Sequence, residues 1–161
     1  IKRLILAWKK IEKRNKELNL VLAGRENFFY KKIISSPEFS NCQRIHFVPN
    51  PDDQTLEVLY KNANLFVFPS LYEGFGLPPL EAIIRQIPVA ASNSSCLTEI
   101  LENAAWFFDP EDIEDMARKI LMINDNLSLR QTLVQTGNKL SEKYSWEKLA
   151  YQTIYLYQKS G

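Results

Sequence analysis

The sequence has few of the residues that build metal centres and covalent staples. It contains two cysteines, Cys42 and Cys96, and a single histidine, His46. Neither cysteine belongs to a C-x-x-C pair, so a zinc site of the ordinary Cys/His type is not expected. Two reduced thiols are expected rather than a disulfide, and that usage points to the cytosol. His46 lies in the apolar run IHFVP and reads as a core-edge histidine rather than a catalytic base. Twenty basic against nineteen acidic side chains leave a formal charge of +1. The chain therefore has no global electrostatic case for nucleic acid as a partner. It also has no run of about 18 apolar residues, the length a membrane-spanning helix needs. The opening IKRLILAWKK sets charges on both sides of its apolar positions, unlike a signal peptide.

The chain is long enough for one domain with a real core: 161 residues, 45% hydrophobic and 24% charged. Apolar residues alternate between two periods. Ile1, Leu4, Ile5, Trp8 and Ile11 fall on one helical face within residues 1–16. NLVLAG (19–24) reads as a buried strand, and residues 26–36 as a helix. RIHFVP (44–49) is a second strand, broken by Pro49-Asn50-Pro51. Asp52 or Asp53 caps a helix to about Ala63, with Leu56, Leu59, Tyr60 and Ala63 on one face. LFVFPS (65–70), PVAAS (88–92) and AWFFD (105–109) are three further strands. A helix lies between the first two of these, from Leu77 or Pro78 to about Gln86. Helices over 111–123, 127–140 and 146–159 close the chain. Strands alternating with helices predict an α/β fold, a Rossmann-like, mainly parallel sheet with helices on both faces. In such sheets ligands gather at the carboxyl ends of the strands.

The stretch PSLYEGFGLPPLEA (69–82) sits at such an end. The strand before it delivers the chain to a loop, Glu73-Gly74-Phe75-Gly76, and Leu77-Pro78 opens the next helix. Proline is tolerated there because its missing N–H would be unpaired in any case. The remaining free N–H groups and the helix dipole favour an anion. Gly74 and Gly76 let the backbone turn and approach a ligand, with a diphosphate as the natural guest. Glu81, about a turn into the helix, can accept hydrogen bonds from the vicinal hydroxyls of a ribose. Glu73, at the loop tip, would face whatever extends beyond the phosphates. A plain loop with a dipole-favoured glutamate would look the same, because G-x-G after a strand is common in α/β proteins.

The longer pattern resolves part of that ambiguity. FVFPSLYEGFGLPPLEA, followed by PVAASNSSCLTEI and AWFFDPED, resembles the nucleotide-sugar domain of retaining glycosyltransferases of the family 4 type, with the GT-B fold. The family's E-x7-E motif is matched by Glu73 and Glu81. The likeness runs upstream through NLVLAG, IHFVPNP and LYKNA, and downstream to SWEKLAYQTIYLY, covering nearly the whole chain. It implies that Glu81 holds the donor ribose and that backbone N–H groups around Gly76 and Leu77 hold the diphosphate. It implies that Glu73, important for activity in the family, lies with Gly74 and Phe75 against the donor sugar, and that Val48 and Pro49 frame the nucleobase. It further implies a nucleoside-diphosphate sugar as donor, UDP- or GDP-linked, with no bound metal or other cofactor, and retention of anomeric configuration.

The resemblance also sets the expected organisation. Residues 1–161 would be one donor-binding domain, the C-terminal fragment of a two-domain enzyme. The acceptor-binding N-terminal domain and a phosphate-binding Arg/Lys pair would lie upstream, and the fragment would be inactive alone. The sequence departs from the family pattern at Ile84 and Gln86, where a small residue and a glycine are usual. It departs again at Thr98, usually Pro, and at Glu102-Asn103, usually Gly-Asp. Residues 1–17 carry seven Lys or Arg against two acids. They read as a solvated face opposite the apolar one, in preference to a patch for peripheral membrane contact. The expected location is the cytoplasm, with the inner face of the membrane as a variant. Arg25 could reach phosphate or form a surface ion pair. Ser92 to Ser95 could contact sugar, and Glu99 reads equally as a family glutamate or a helix-start cap. The aromatic residues of SWEKLAYQTIYLY read as packing residues, on a helix whose apolar face is exposed in an isolated domain. Two other readings of the whole remain: a related enzyme of another reaction, such as a phosphorylase or nucleotide-sugar epimerase, and a non-catalytic interaction domain.

Overall fold

The computed structural model describes residues 1–40 and 42–159. It contains five strands, β1 (Leu20–Gly24), β2 (Ile45–Pro49), β3 (Phe66–Phe68), β4 (Val89–Ser92) and β5 (Ala105–Phe108). All five were expected, with ends trimmed by one to three residues. They form two parallel ladders, β1–β2 and β3–β4–β5. The expected single sheet is thus divided, since no ladder joins β1 or β2 to β3 among the described residues. One core nevertheless spans both ladders. Leu20 and Ile45 share a buried cluster with Ala90 and Phe108.

The strand parity explains why helices cover two faces. Along β4, all of whose residues are buried, Ala90 points into the cluster built with helices α1 (Lys2–Arg14) and α7 (Ile113–Asp125). Its neighbours Val89 and Ala91 point the other way, toward α5 (Leu77–Ile84), α6 (Leu97–Leu101) and Leu140 of α8 (Leu127–Ser141). Successive strand side chains face opposite sides, so a short strand buried on both faces is apolar at consecutive positions. On α1 the apolar stripe of Leu4, Ile5, Trp8 and Ile11 is buried as its spacing required, while Ile1 is half exposed. Part of the basic face of α1 is engaged within the chain: Lys2 pairs with Glu38, Arg3 with Glu111 and Lys10 with Glu114. Such exposed pairs contribute little stability each, but they consume charge that a membrane patch would use.

Local chemistry sets several element ends. The Asp52 carboxylate accepts from the Thr55 N–H at 2.8 Å and caps α4 (Asp53–Asn62). Hydrogen bonding by Thr55, through its side chain first and its N–H second, holds the Asp52 carboxyl below the usual range. The expected apolar face of α4 is only half-buried. Residues 26–36, expected as one helix, contain α2 (Phe28–Ile34), and a further short helix follows at α3 (Pro37–Ser40). Asp112 caps α7 by accepting from the Glu114 and Asp115 N–H groups. Helix α8 approaches α5 closely because Gly137 lacks a side chain: a Cβ there would meet Ile83 Cγ2 at 2.9 Å. The last helix, α9 (Trp146–Lys159), buries none of its residues.

Candidate functional site

The segment between β3 and α5 is held by its neighbours at several points. Gly76 is the N-cap of α5, in the left-handed conformation at φ 89° and ψ 56°. A Cβ at Gly76 would lie 2.6 Å from Leu97 Cδ2 on the fully buried Leu97. Both the conformation and the space therefore require glycine. Gly74 is different: its φ is not positive, and a Cβ there would meet nothing within 4 Å. The conformational freedom expected of both glycines is needed only at Gly76, while Gly74 leaves open space at the loop. Pro78 and Pro79 lack N–H groups, so Leu77 carries the only free donor among the first three residues of α5. Leu77 is half exposed. The anion-binding capacity of this helix end is thus focused on the amides at Gly76 and Leu77.

Phe75 packs edge-on against Tyr144, with ring centroids 5.6 Å apart. Tyr144 is itself anchored by donating to the Ile100 carbonyl at 3.2 Å. Glu73 is half-buried. Its Oε1 accepts from Ser70 Oγ at 2.7 Å, and its carbonyl accepts from Ser95 Oγ at 2.7 Å and Cys96 Sγ at 3.3 Å. Ser92, expected at a sugar-contacting edge, is instead fully buried and donates to the Ser70 carbonyl. Within Ser92 to Ser95, this makes Ser92 a strut for the loop.

Glu81 is exposed on the next turn of α5. Its Oε2 accepts from the Tyr60 hydroxyl at 3.3 Å. Burial first, and then the Glu81 charge, push the Tyr60 phenol up to about 12. The Arg85 guanidinium lies over the Tyr60 ring at 4.7 Å, donates to Glu57 at 3.0 Å and donates to the Glu81 carbonyl at 3.1 Å. The Arg85 hydrogen bond holds the Glu57 carboxyl below its usual range. Sequence reading missed Tyr60 and Ser70 as partners of the two glutamates. In the sequence pattern Tyr60 marks only a helix face and Ser70 only a strand end.

Val48 and Pro49 lie at the carboxyl end of β2, in the other ladder, with Pro49 exposed. The turn after them is fixed by Asn50, whose N–H donates to the Gly24 carbonyl at 2.8 Å and whose Oδ1 accepts from the Glu26 N–H at 3.0 Å. Arg25 is exposed just beyond β1. His46 is exposed and its Nε2 lies 3.0 Å from Asn19 Oδ1, so it sits outside the core edge where it was expected. Glu99 is exposed in the first turn of the short helix α6. Among the described residues, no three His, Cys, Asp or Glu side chains gather to hold a metal ion.

Comparison with known proteins gives this geometry a family. Residues 1–140 match the model of the glycosyl transferases group 1 family. O-antigen chain mannosyltransferase B of Escherichia coli is 37% identical over 114 residues, 71% of this chain and 30% of that protein. Among solved structures, sucrose-phosphate synthase from Thermosynechococcus elongatus superposes with a TM-score of 0.80 at 26% identity. That match covers 98% of this chain and 41% of the synthase. The C-terminal domain of a glycosyl transferase group 1 family protein from Francisella tularensis superposes with a TM-score of 0.73 at 22% identity, covering 88% of this chain and 77% of that domain, and so shares the fold. The chain spans about a third of the length of the first curated relatives it matches. A Rossmann-like α/β domain matched over residues 1–140, this chain belongs to the group 1 glycosyl transferases.

Proposed function

We propose that this chain is the donor-binding domain of a retaining glycosyltransferase, the C-terminal part of a two-domain enzyme. The enzyme moves a sugar from a nucleoside-diphosphate sugar to a glycan or lipid-linked acceptor. The observation that carries this reading is the start of α5. A buried glycine at φ 89° opens a helix whose first turn keeps one free amide, with a glutamate on either side of it. The amides at Gly76 and Leu77 bind the diphosphate, and the positive helix end stabilises the charge that develops as it leaves. Glu81 accepts from the ribose hydroxyls. Glu73, with the open space at Gly74 and the ring of Phe75, meets the donor sugar. Val48 and Pro49 border the nucleobase. The acceptor hydroxyl attacks the anomeric carbon from the leaving-group face, so configuration is kept. The enzyme needs no metal in this scheme, because the backbone amides at Gly76 and Leu77 and a basic pair upstream of this chain supply the positive field.

Several further points come with this reading. The acceptor site belongs to the remainder of the enzyme, a view supported by the fraction of its relatives that the chain spans. The isolated chain binds nucleotide weakly and transfers no sugar. The protein works in the cytoplasm, at the inner face of a membrane when its acceptor is lipid-linked. The two unbridged cysteines favour that compartment. The donor sugar is a hexose, and GDP-mannose is the first donor to try, because the E. coli relative bears the name mannosyltransferase.

The test is a thermal-shift panel with UDP, GDP, ADP and their sugars at millimolar concentration. One nucleoside diphosphate should raise the melting temperature, and Glu81→Ala should abolish the rise. No response to any of them, in the chain or in the full-length enzyme, would favour an interaction domain. Phosphate-dependent sugar release would favour a phosphorylase, and acceptor-free isomerisation of the donor an epimerase.

A further inference from the structure

The β3–α5 loop is tied to the β4–α6 loop almost entirely through side-chain hydroxyls, and those ties converge on Glu73. Ser70 Oγ donates to Glu73 Oε1 at 2.7 Å, and the carbonyl of Ser70 is in turn held by the buried Ser92 hydroxyl. Ser95 addresses the main chain of the same residue twice. Its Oγ donates to the Glu73 carbonyl at 2.7 Å and accepts from the Glu73 N–H at 3.4 Å. To do so Ser95 adopts φ 56°, a left-handed conformation that a non-glycine residue takes up at a cost. No protein donor among the described residues engages Glu73 Oε2.

We propose that Ser70 and Ser95 are positioning residues for Glu73. Ser95 fixes the backbone at the loop tip, and Ser70 occupies one carboxylate oxygen so that Oε2 is turned to the donor sugar. This rests on the reading of Glu73 as the sugar-facing carboxylate. A carboxylate held through one oxygen loses less rotamer freedom on binding a sugar hydroxyl, because that freedom is already spent in the free protein. The diphosphate and ribose contacts, at Gly76, Leu77 and Glu81, lie outside this network. The two serines should therefore discriminate a nucleotide sugar from the bare nucleotide.

The experiment measures dissociation constants of GDP, GDP-mannose, UDP and UDP-glucose for the full-length enzyme and its Ser70→Ala, Ser70→Thr and Ser95→Gly variants, with melting temperatures alongside. Glycine suits the left-handed backbone at position 95, so Ser95→Gly removes the hydroxyl without adding strain. The expected result is unchanged nucleoside-diphosphate binding in all variants. Nucleotide-sugar binding should be weaker by about tenfold in Ser70→Ala and Ser95→Gly, and restored in Ser70→Thr. Equal weakening of the nucleotide and its sugar, or no weakening of the sugar in Ser70→Ala, would overturn the inference while leaving the donor-binding reading standing. Failure of the wild-type enzyme to bind any of the four would overturn both.

Discussion

Two helical segments, the start of α5 and the terminal helix α9, carry apolar residues and treat them in opposite ways. At the start of α5, Phe75 rests on Tyr144, Gly76 sits against Leu97, and Pro79, Leu80, Ala82 and Ile83 are buried. In α9, only a few residues beyond Tyr144, Trp146 is 77% exposed and Tyr157 76% exposed, and nothing on the helix is buried. Both segments have apolar residues at helical spacing. Periodicity reports that a face exists, but only a partner makes it a core. The packing role expected for the aromatic residues of α9 is therefore not fulfilled among the described residues, while the exposure expected of its apolar face is seen. The contrast locates rigidity: the loop that carries the candidate site is over-determined, and the terminal helix is not.

That contrast can be broken most sharply at Gly76. Gly76→Ala should destabilise the chain by about 2–4 kcal/mol, since it adds left-handed strain to a clash with a buried leucine. Urea unfolding measures it, and a loss below about 0.5 kcal/mol would show that the loop is less constrained than its geometry. A smaller effect is expected where α8 docks on α5. Gly137→Val should cost about 2 kcal/mol through overpacking against Ile83. The cost should shrink in an Ile83→Ala background, as a double-mutant cycle detects.

The support under Glu81 gives a pH signature. The fold favours the neutral Tyr60 phenol, which titrates near 12. Its contribution is intact below about pH 10, the value for an unperturbed tyrosine. As the pH rises from there toward 12, the unfolded chain releases a proton that the native chain keeps, so stability falls. Tyr60→Phe keeps the ring under Arg85 and should flatten this part of the alkaline stability curve. It should also remove the absorbance step near pH 12 from an ultraviolet titration of the phenols. An unchanged titration would place the high value on another tyrosine. The smallest effect belongs to α9. Leu149→Ser with Ile154→Ser should change the stability of this chain by less than about 0.5 kcal/mol, because both side chains are already more than half exposed. A larger loss would mean that α9 packs against the domain in solution.

The sequence made the α/β alternation legible because each strand carries apolar residues at consecutive positions and longer helices such as α1 and α7 carry a clear apolar face. It also singles out Glu73, Gly76, Leu77 and Glu81 as candidates, because they fall in one short segment. What it hid was long-range. Ser95 and Glu73 are separated by 22 positions, and Tyr60 and Glu81 by 21, and no local pattern marks a hydroxyl as the partner of a particular carboxylate. The division of the strands into two ladders was hidden for the same reason, since pairing is a tertiary property. The short helix α6 and the 3₁₀ turn Glu102–Ala104 lacked the length to show a period. Two departures from the family pattern gain a physical meaning. Gln86 at φ 61° and Glu102 at φ 45° occupy backbone conformations that favour glycine, the residue the resemblance leads one to expect at both places.

In the proposed function, the start of α5 binds a nucleoside diphosphate through the amides of Gly76 and Leu77, ahead of its two prolines. Amide chemical shifts followed during titration of the nitrogen-labelled chain with GDP and UDP test it directly. One of these nucleotides should move the Phe75, Gly76 and Leu77 resonances most, with Glu81 following, and inorganic phosphate should move the first three alone. Shifts confined to α9 or the basic face of α1, with Gly76 and Leu77 unmoved, would contradict it.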